Sequence, residues 1–298
     1  MRLCIILCTL GLAGCGDSSP SPAPTPTQPP PAPTAPPTSQ TMTIAGTITD
    51  TVTGAVVGSF SRTATSLPAQ VTVSAPGYIT RETWVQTASP RVDLFPENGF
   101  DLRFYRQFAR DDLDHLGGPM FMYSLLVLSE APAFYLEVEG AKGVTVDKAR
   151  QLEAVARRIV PLITGGRFQV TRWETGPTPR EPQPGWIMIE RRDDADACGR
   201  AFVGQSAGQI WLNNDSGCRM EATFAHEIGH AFGFFHVDRP GSMMWGSPDK
   251  YRLSASDAPT DTERYHAALA YSRQRGNTDI DIDPRTSNVL QAPRVLMR

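Results

Sequence analysis

Three histidines, a glutamate and a glycine fall in one eleven-residue run, His226-Glu227-Ile228-Gly229-His230-Ala231-Phe232-Gly233-Phe234-Phe235-His236, with the types and spacing to hold a metal ion. His226 and His230 are four apart, so a helix puts both imidazoles on one face, about one turn apart and aimed at one point. Glu227 is rotated about 100° from that stripe. It falls outside the ligand set, beside an open coordination position, where a general base belongs. Gly233 can take a positive φ and end the helix in a left-handed turn, which lets His236 swing in as a third ligand. Three neutral imidazoles complete a tetrahedral Zn²⁺ site only with water in the fourth place, the catalytic rather than the closed structural arrangement. The expected chemistry is a water acidified towards a pKa of about 7, a polarised carbonyl, and Glu227 taking and returning the proton. The chain has only five histidines in 298 residues, so abundance does not explain three of them in this register.

Beyond His236 the chain reads Val237-Asp238-Arg239-Pro240-Gly241-Ser242-Met243-Met244-Trp245. Together with the histidine run, this segment resembles the metzincin zinc endopeptidases, and among them the matrixin-like branch. The resemblance is close over residues 198–245. It implies one catalytic zinc, a protein or peptide substrate, and a tight turn that places Met244, or failing it Met243, beneath the ligands. It also implies that Gly208-Gln209-Ile210-Trp211-Leu212, just before the zinc helix, is the edge strand that holds extended substrate, and that residues 245–253 wall the S1′ pocket. Gly246 stands where astacin-like and serralysin-like members carry a tyrosine ligand, so a tyrosine switch is not expected. No cysteine lies between Cys15 and Cys198, so latency through a propeptide thiolate is not expected either. Two other readings are a zinc hydrolase of a non-peptide substrate and a catalytically weak surface binding or adhesion lipoprotein. The intact Glu227 argues against the second.

The elements that must position these residues begin with the compartment. After Arg2, residues 3–12 are apolar but too short to span a bilayer, which reads as a signal peptide. Leu12-Ala13-Gly14-Cys15 resembles a bacterial lipobox, so residues 1–15 are expected to leave Cys15 as the lipid anchor of an exported envelope protein facing the periplasm or the exterior. Cys4 and Cys8 leave with the signal, and Cys198 with Cys218 remain. A disulfide is the simplest use of an even pair, with two free thiols or a second metal pair as alternatives. Closing that loop would stabilise by about 3 kcal/mol in the chain-entropy account. Residues 16–40 are proline-rich and read as an extended stalk. A net charge of −3 provides no basic surface for nucleic acid, and the protein is expected to be a monomer.

Residues 41–96 alternate apolar and polar positions at 43–49, 71–74 and 84–86, separated by turn residues, and read as a small all-β, sandwich-like module. Ser74-Ala75-Pro76-Gly77-Tyr78, after a Gly-Thr-Ile-Thr-Asp start, resembles carboxypeptidase regulatory-like modules, and a spacer or binding role is expected. Residues 97–298 form the expected metallopeptidase domain, giving an α+β fold of twisted mixed sheet, backing helix, active-site helix and C-terminal helix. Strands are expected at 134–138, 168–173 and 186–190. Ala149, Leu152, Ala156, Ile159 and Ile163 have helical spacing over 146–163. Thr260-Asp261-Thr262-Glu263 is a capping box that opens a helix to about residue 275. His115 and His266 are expected to be structural or solvated rather than ligands. Asp279, Asp281 and Asp283 alternate as in some calcium loops, but Pro284 stands where glycine is needed and no glutamate follows at the twelfth place, so calcium is not expected.

Overall fold

The computed structural model describes residues 40–114, 123–193, 196–215, 217–246, 256–286 and 295–297. The apolar leader, Cys15, the proline-rich run, His115 and most of the expected S1′ wall lie outside the described residues. Among the described residues no helix is long and apolar enough to cross a membrane.

Five strands come first: β1 (Met42–Asp50), β2 (Val56–Ala64), β3 (Ala69–Val73), β4 (Arg81–Val85) and β5 (Arg91–Leu94). β1 pairs antiparallel with β2 and parallel with β5, and β3 pairs antiparallel with β4. Alternation makes their core: Ala69, Val71 and Val73 of β3 point inward while Gln70 and Thr72 face out. Ile44, Ile48, Val85, Val92 and Leu94 complete the cluster. β2 escapes sequence reading because it lies mostly exposed and carries no clean alternation.

Residues from Gln40 onward form one compact unit. Charge and backbone hydrogen bonds join β4 and β5 to a loop near the C-terminus. Arg81 reaches Asp93 at 2.8 Å and Asp283 at 2.6 Å. Arg273, fully buried, makes a two-pronged pair with Asp281 at 2.7 Å on each side and also bonds Asp93. Asn277 donates to Asp281 and Asp283 at 3.0 and 2.9 Å. The amide of Glu82 donates to the Asp281 carbonyl, and the amide of Asp283 to the Glu82 carbonyl. Asp279 pairs with Arg106 at 2.8 Å. All three alternating aspartates are thus held by arginines.

The remaining elements are α1 (Leu102–Arg110), β6 (Ala133–Glu137), α2 (Val146–Ile163), β7 (Trp173–Gly176), β8 (Trp186–Arg191), β9 (Gly199–Phe202), β10 (Ala207–Leu212), α3 (Met220–Ala231), α4 (Asp261–Tyr271) and β11 (Leu296–Met297). They give a mixed six-stranded sheet in the order β11-β9-β10-β8-β6-β7. β7, β6, β8 and β10 run parallel, and β9 runs against them. Thr145 caps α2, whose stripe from Ala149 to Ile163 is buried, and α2 packs against α3 and α4. This is the expected α+β class, a mixed sheet with four helices among the described residues.

Three expectations need correction. Gly208–Leu212 is not an edge strand: β10 lies inside the sheet, bonded to β8 on one side and, from Ile210 to Leu212, to β9 on the other. The chain folds back at Gly204, where φ is +56°, and this lays β9 outside β10. The strand expected at 168–173 begins only at Trp173, because Phe168 and Val170 bury their side chains without joining a ladder, and the Val170 carbonyl takes Arg157 instead. The last helix stops at Tyr271 rather than about residue 275, since Arg273 turns into the ion network.

Candidate metal centre

α3 carries His226, Glu227 and His230, all buried. Its end is set by Gly233, at φ +105°, where a Cβ would lie 2.8 Å from the Leu126 backbone, so the position demands glycine in both conformation and space. The chain then reverses: Phe235 N donates to the Phe108 carbonyl of α1 at 2.8 Å, and the Phe108 and Phe234 rings stack at 4.1 Å. His236 is thereby brought to the two helical histidines.

The three Nε2 atoms converge, at 3.0 Å for His226 to His230 and 3.2 Å for each to His236. In every ring Nδ1 faces an acceptor: Met243 O at 2.7 Å for His226, Phe234 O at 2.8 Å for His230, and Asp114 Oδ2 at 2.9 Å for His236. Each Nδ1 therefore holds the proton, and the close Nε2 contacts are three lone pairs meeting rather than hydrogen bonds. Such a meeting is repulsive unless a cation stands between them. Tetrahedral Zn²⁺ with Zn–N bonds of about 2.05 Å requires nitrogens about 3.3 Å apart, close to the spacing seen. Burial first, then the neighbouring His236, pushes the His226 pKa down to about 3, and burial with both neighbours holds His230 well below its ordinary value. The residues fit a zinc ion.

Glu227 is the second sign of missing positive charge. Both carboxylate oxygens are buried without a hydrogen-bond partner among the described residues. Burial raises its pKa well above the usual carboxylate range, and Arg200 opposes this only in part. Its space is provided by Gly199 of β9, where a Cβ would lie 2.5 Å from Glu227 Oε1 and 2.8 Å from its Cγ. The Cys198–Cys218 disulfide, with Cα atoms 5.4 Å apart, ties the start of β9 to the approach to α3 and so fixes this cradle.

Beneath the histidines the turn 242–245 packs Met244 against the helix. A Cβ at Gly229 would lie 2.2 Å from Met244 Sδ but 3.4 Å from Met243 Cε, so Met244 is the methionine pressed closest to the ligand helix at this point. Gly246 passes the third ligand so closely that a Cβ there would lie 2.9 Å from His236 Cβ. Glu263, from the first turn of α4, clamps the turn. Its carboxylate accepts from Met243 N at 3.2 Å, Met244 N at 2.9 Å and the Ser242 hydroxyl, while also completing the capping box with Thr260. Because Met243 O accepts from His226 Nδ1, Glu263 steadies a ligand through one intervening residue.

Sequence reasoning singled out the three histidines, Glu227, Met244 and the disulfide pair, and the structure brings them together. It missed Asp114, Gly199 and the clamp made by Glu263. Glu263 was visible as a capping residue, but Asp114 and Gly199 carry no local signal. His266 lies apart from the centre, bonded to Asp101 N and Thr262 O among aromatic rings.

The profile of the Astacin peptidase family matches residues 178–240, a stretch with both cysteines and all three histidines that stops before the methionine turn. The match supports a metzincin-type zinc peptidase. Among solved structures, this chain is similar to metalloproteinase-II from Bacteroides fragilis, at 14% identity and a TM-score of 0.33, over 48% of this chain and 54% of that one. The similarity thus spans about half the length of that protein. No curated protein matches this chain.

Proposed function

We propose that this chain is a zinc-dependent endopeptidase of the matrixin-like branch, with His226, His230 and His236 as ligands, Glu227 as general base and Met244 as the turn methionine. The observation that carries this reading is the convergence of three lone-pair-bearing Nε2 atoms at 3.0–3.2 Å, one residue away from a buried carboxylate with no hydrogen-bond partner among the described residues. When bound, Zn²⁺ supplies Lewis-acid polarisation of a carbonyl and acidifies a water towards a pKa of about 7. Glu227 takes the proton of the attacking water and returns it to the leaving amine. Burial makes it a stronger base than an exposed carboxylate. The Nδ1 partners Met243 O, Phe234 O and Asp114 fix the three rings in tautomer and direction. Extended substrate is placed along β9, the strand that meets both Glu227 and the helix end.

Glu227→Gln is the decisive test. The variant should keep one zinc per chain and lose about 10²–10⁴ in kcat on casein or gelatin peptides. Undiminished, chelator-sensitive cleavage by that variant would remove Glu227 from the mechanism. On sequence grounds we further propose that the protein is exported and anchored to the envelope through Cys15, with residues 16–40 as a stalk.

A further inference from the structure

The outer side of β9 is where an extended peptide would add as a strand, and the chain's own residues sit there. Val203 N donates to Val295 O at 2.9 Å, Leu296 pairs antiparallel with Phe202, and Met297 with Ala201. β9 runs past the metal centre: at its start Gly199 adjoins Glu227, and just beyond its end Gly204 N donates to His230 O at 3.0 Å. Val295 and Met297 alternate inward onto Leu126, Val203 and Phe235, the last being the neighbour of His236, while Leu296 faces out at 38% exposure. Among the described residues β11 spans two residues, and so short a strand is a weak addition to a sheet that can open.

We propose that Val295–Met297 is an intramolecular occupant of the peptide-binding edge of β9, competing with substrate. The same seat therefore selects peptides with apolar side chains two residues apart. This rests on the peptidase reading of the site. An occupant that fills the edge most of the time raises the apparent KM by the inverse of the open fraction and leaves kcat alone.

The test uses the full chain carrying Val295→Asp and Met297→Asp, assayed against wild type on a peptide with apolar residues at alternate positions. KM should fall about tenfold with kcat held. A fluorescent synthetic peptide with the Val295–Met297 sequence should bind the double variant more tightly than wild type by anisotropy. Equal KM values, or equal peptide binding to both proteins, would overturn the proposal. If the double variant melts at much lower temperature, Met297→Ser alone should still lower KM in the same direction, and no change there overturns it. A wild-type protein that holds zinc but cleaves nothing would refute the peptidase reading, whereas the anisotropy result would still decide whether the segment occupies β9.

Discussion

Gly199→Ala isolates the cradle of Glu227 from every metal ligand. Gly199 has no positive φ, so the backbone accepts alanine. The added Cβ would lie 2.5 Å from Glu227 Oε1, 2.6 Å from Thr223 Cγ2 and 2.8 Å from Glu227 Cγ, whereas ordinary contact begins at 3.4 Å. The carboxylate must therefore move by 3.4 − 2.5, or about 0.9 Å. Overpacking of this kind costs about 1–3 kcal/mol of stability. A displacement near 1 Å at a reacting group costs about 10² in rate. The assay is zinc per chain by mass spectrometry alongside kcat/KM on a peptide substrate. Zinc should stay stoichiometric while kcat/KM falls about 100-fold. In a Glu227→Gln background the added alanine should change little, since both substitutions remove one function. Full activity in Gly199→Ala, or an equal further loss in the Glu227→Gln background, would refute the cradle.

Asp114→Asn removes the charge that accepts from His236 Nδ1 and should weaken zinc binding by about 10–100-fold in chelator competition; an unchanged affinity would sink its role. Glu263→Gln replaces an acceptor oxygen with a donor facing the turn amides, so it should cost about 1–3 kcal/mol in denaturant unfolding and lower zinc affinity as well. Burial pushes the Asp93 carboxyl up, but Arg273 and Arg81 override it and bring its pKa down to about 2. A depressed folded pKa gives stability that is present above the unfolded value and lost as pH falls from about 4 towards 2, about 1–2 kcal/mol once screening of its exposed third is allowed for. Arg273→Met should flatten that acid limb of the urea midpoint against pH, and an unaltered slope would contradict the pairing.

What was legible in the sequence was local. The metal helix needs only residues at four- and six-residue spacing plus Gly233, and α2 needs only its 3.6-residue stripe. The disulfide followed from counting cysteines. The order of β9 and β10 was not legible, because Gly-Arg-Ala-Phe over Gly199–Phe202 has too little alternation to announce a strand. α1, which supports the chain reversal before His236, was legible from its Asp101 cap and from Phe104, Tyr105 and Phe108 at helical spacing, although the expected elements did not include it, whereas Asp114 gave no signal. The aspartates at 279, 281 and 283 gave no sign of their true partners, because their arginines stand at 106, 273 and 81, two of them far away in sequence.

Those arginines bear on whether the first five strands could be removed. Cleavage near residue 96 with shedding of the first five strands would take Arg81 from Asp283 and Asp93 from Arg273, which would keep only Asp281, and losing one partner of a buried pair costs about 3–5 kcal/mol. The strands before α1 thus share one ion-pair network with the unit that carries the metal centre, and their loss should lower its stability.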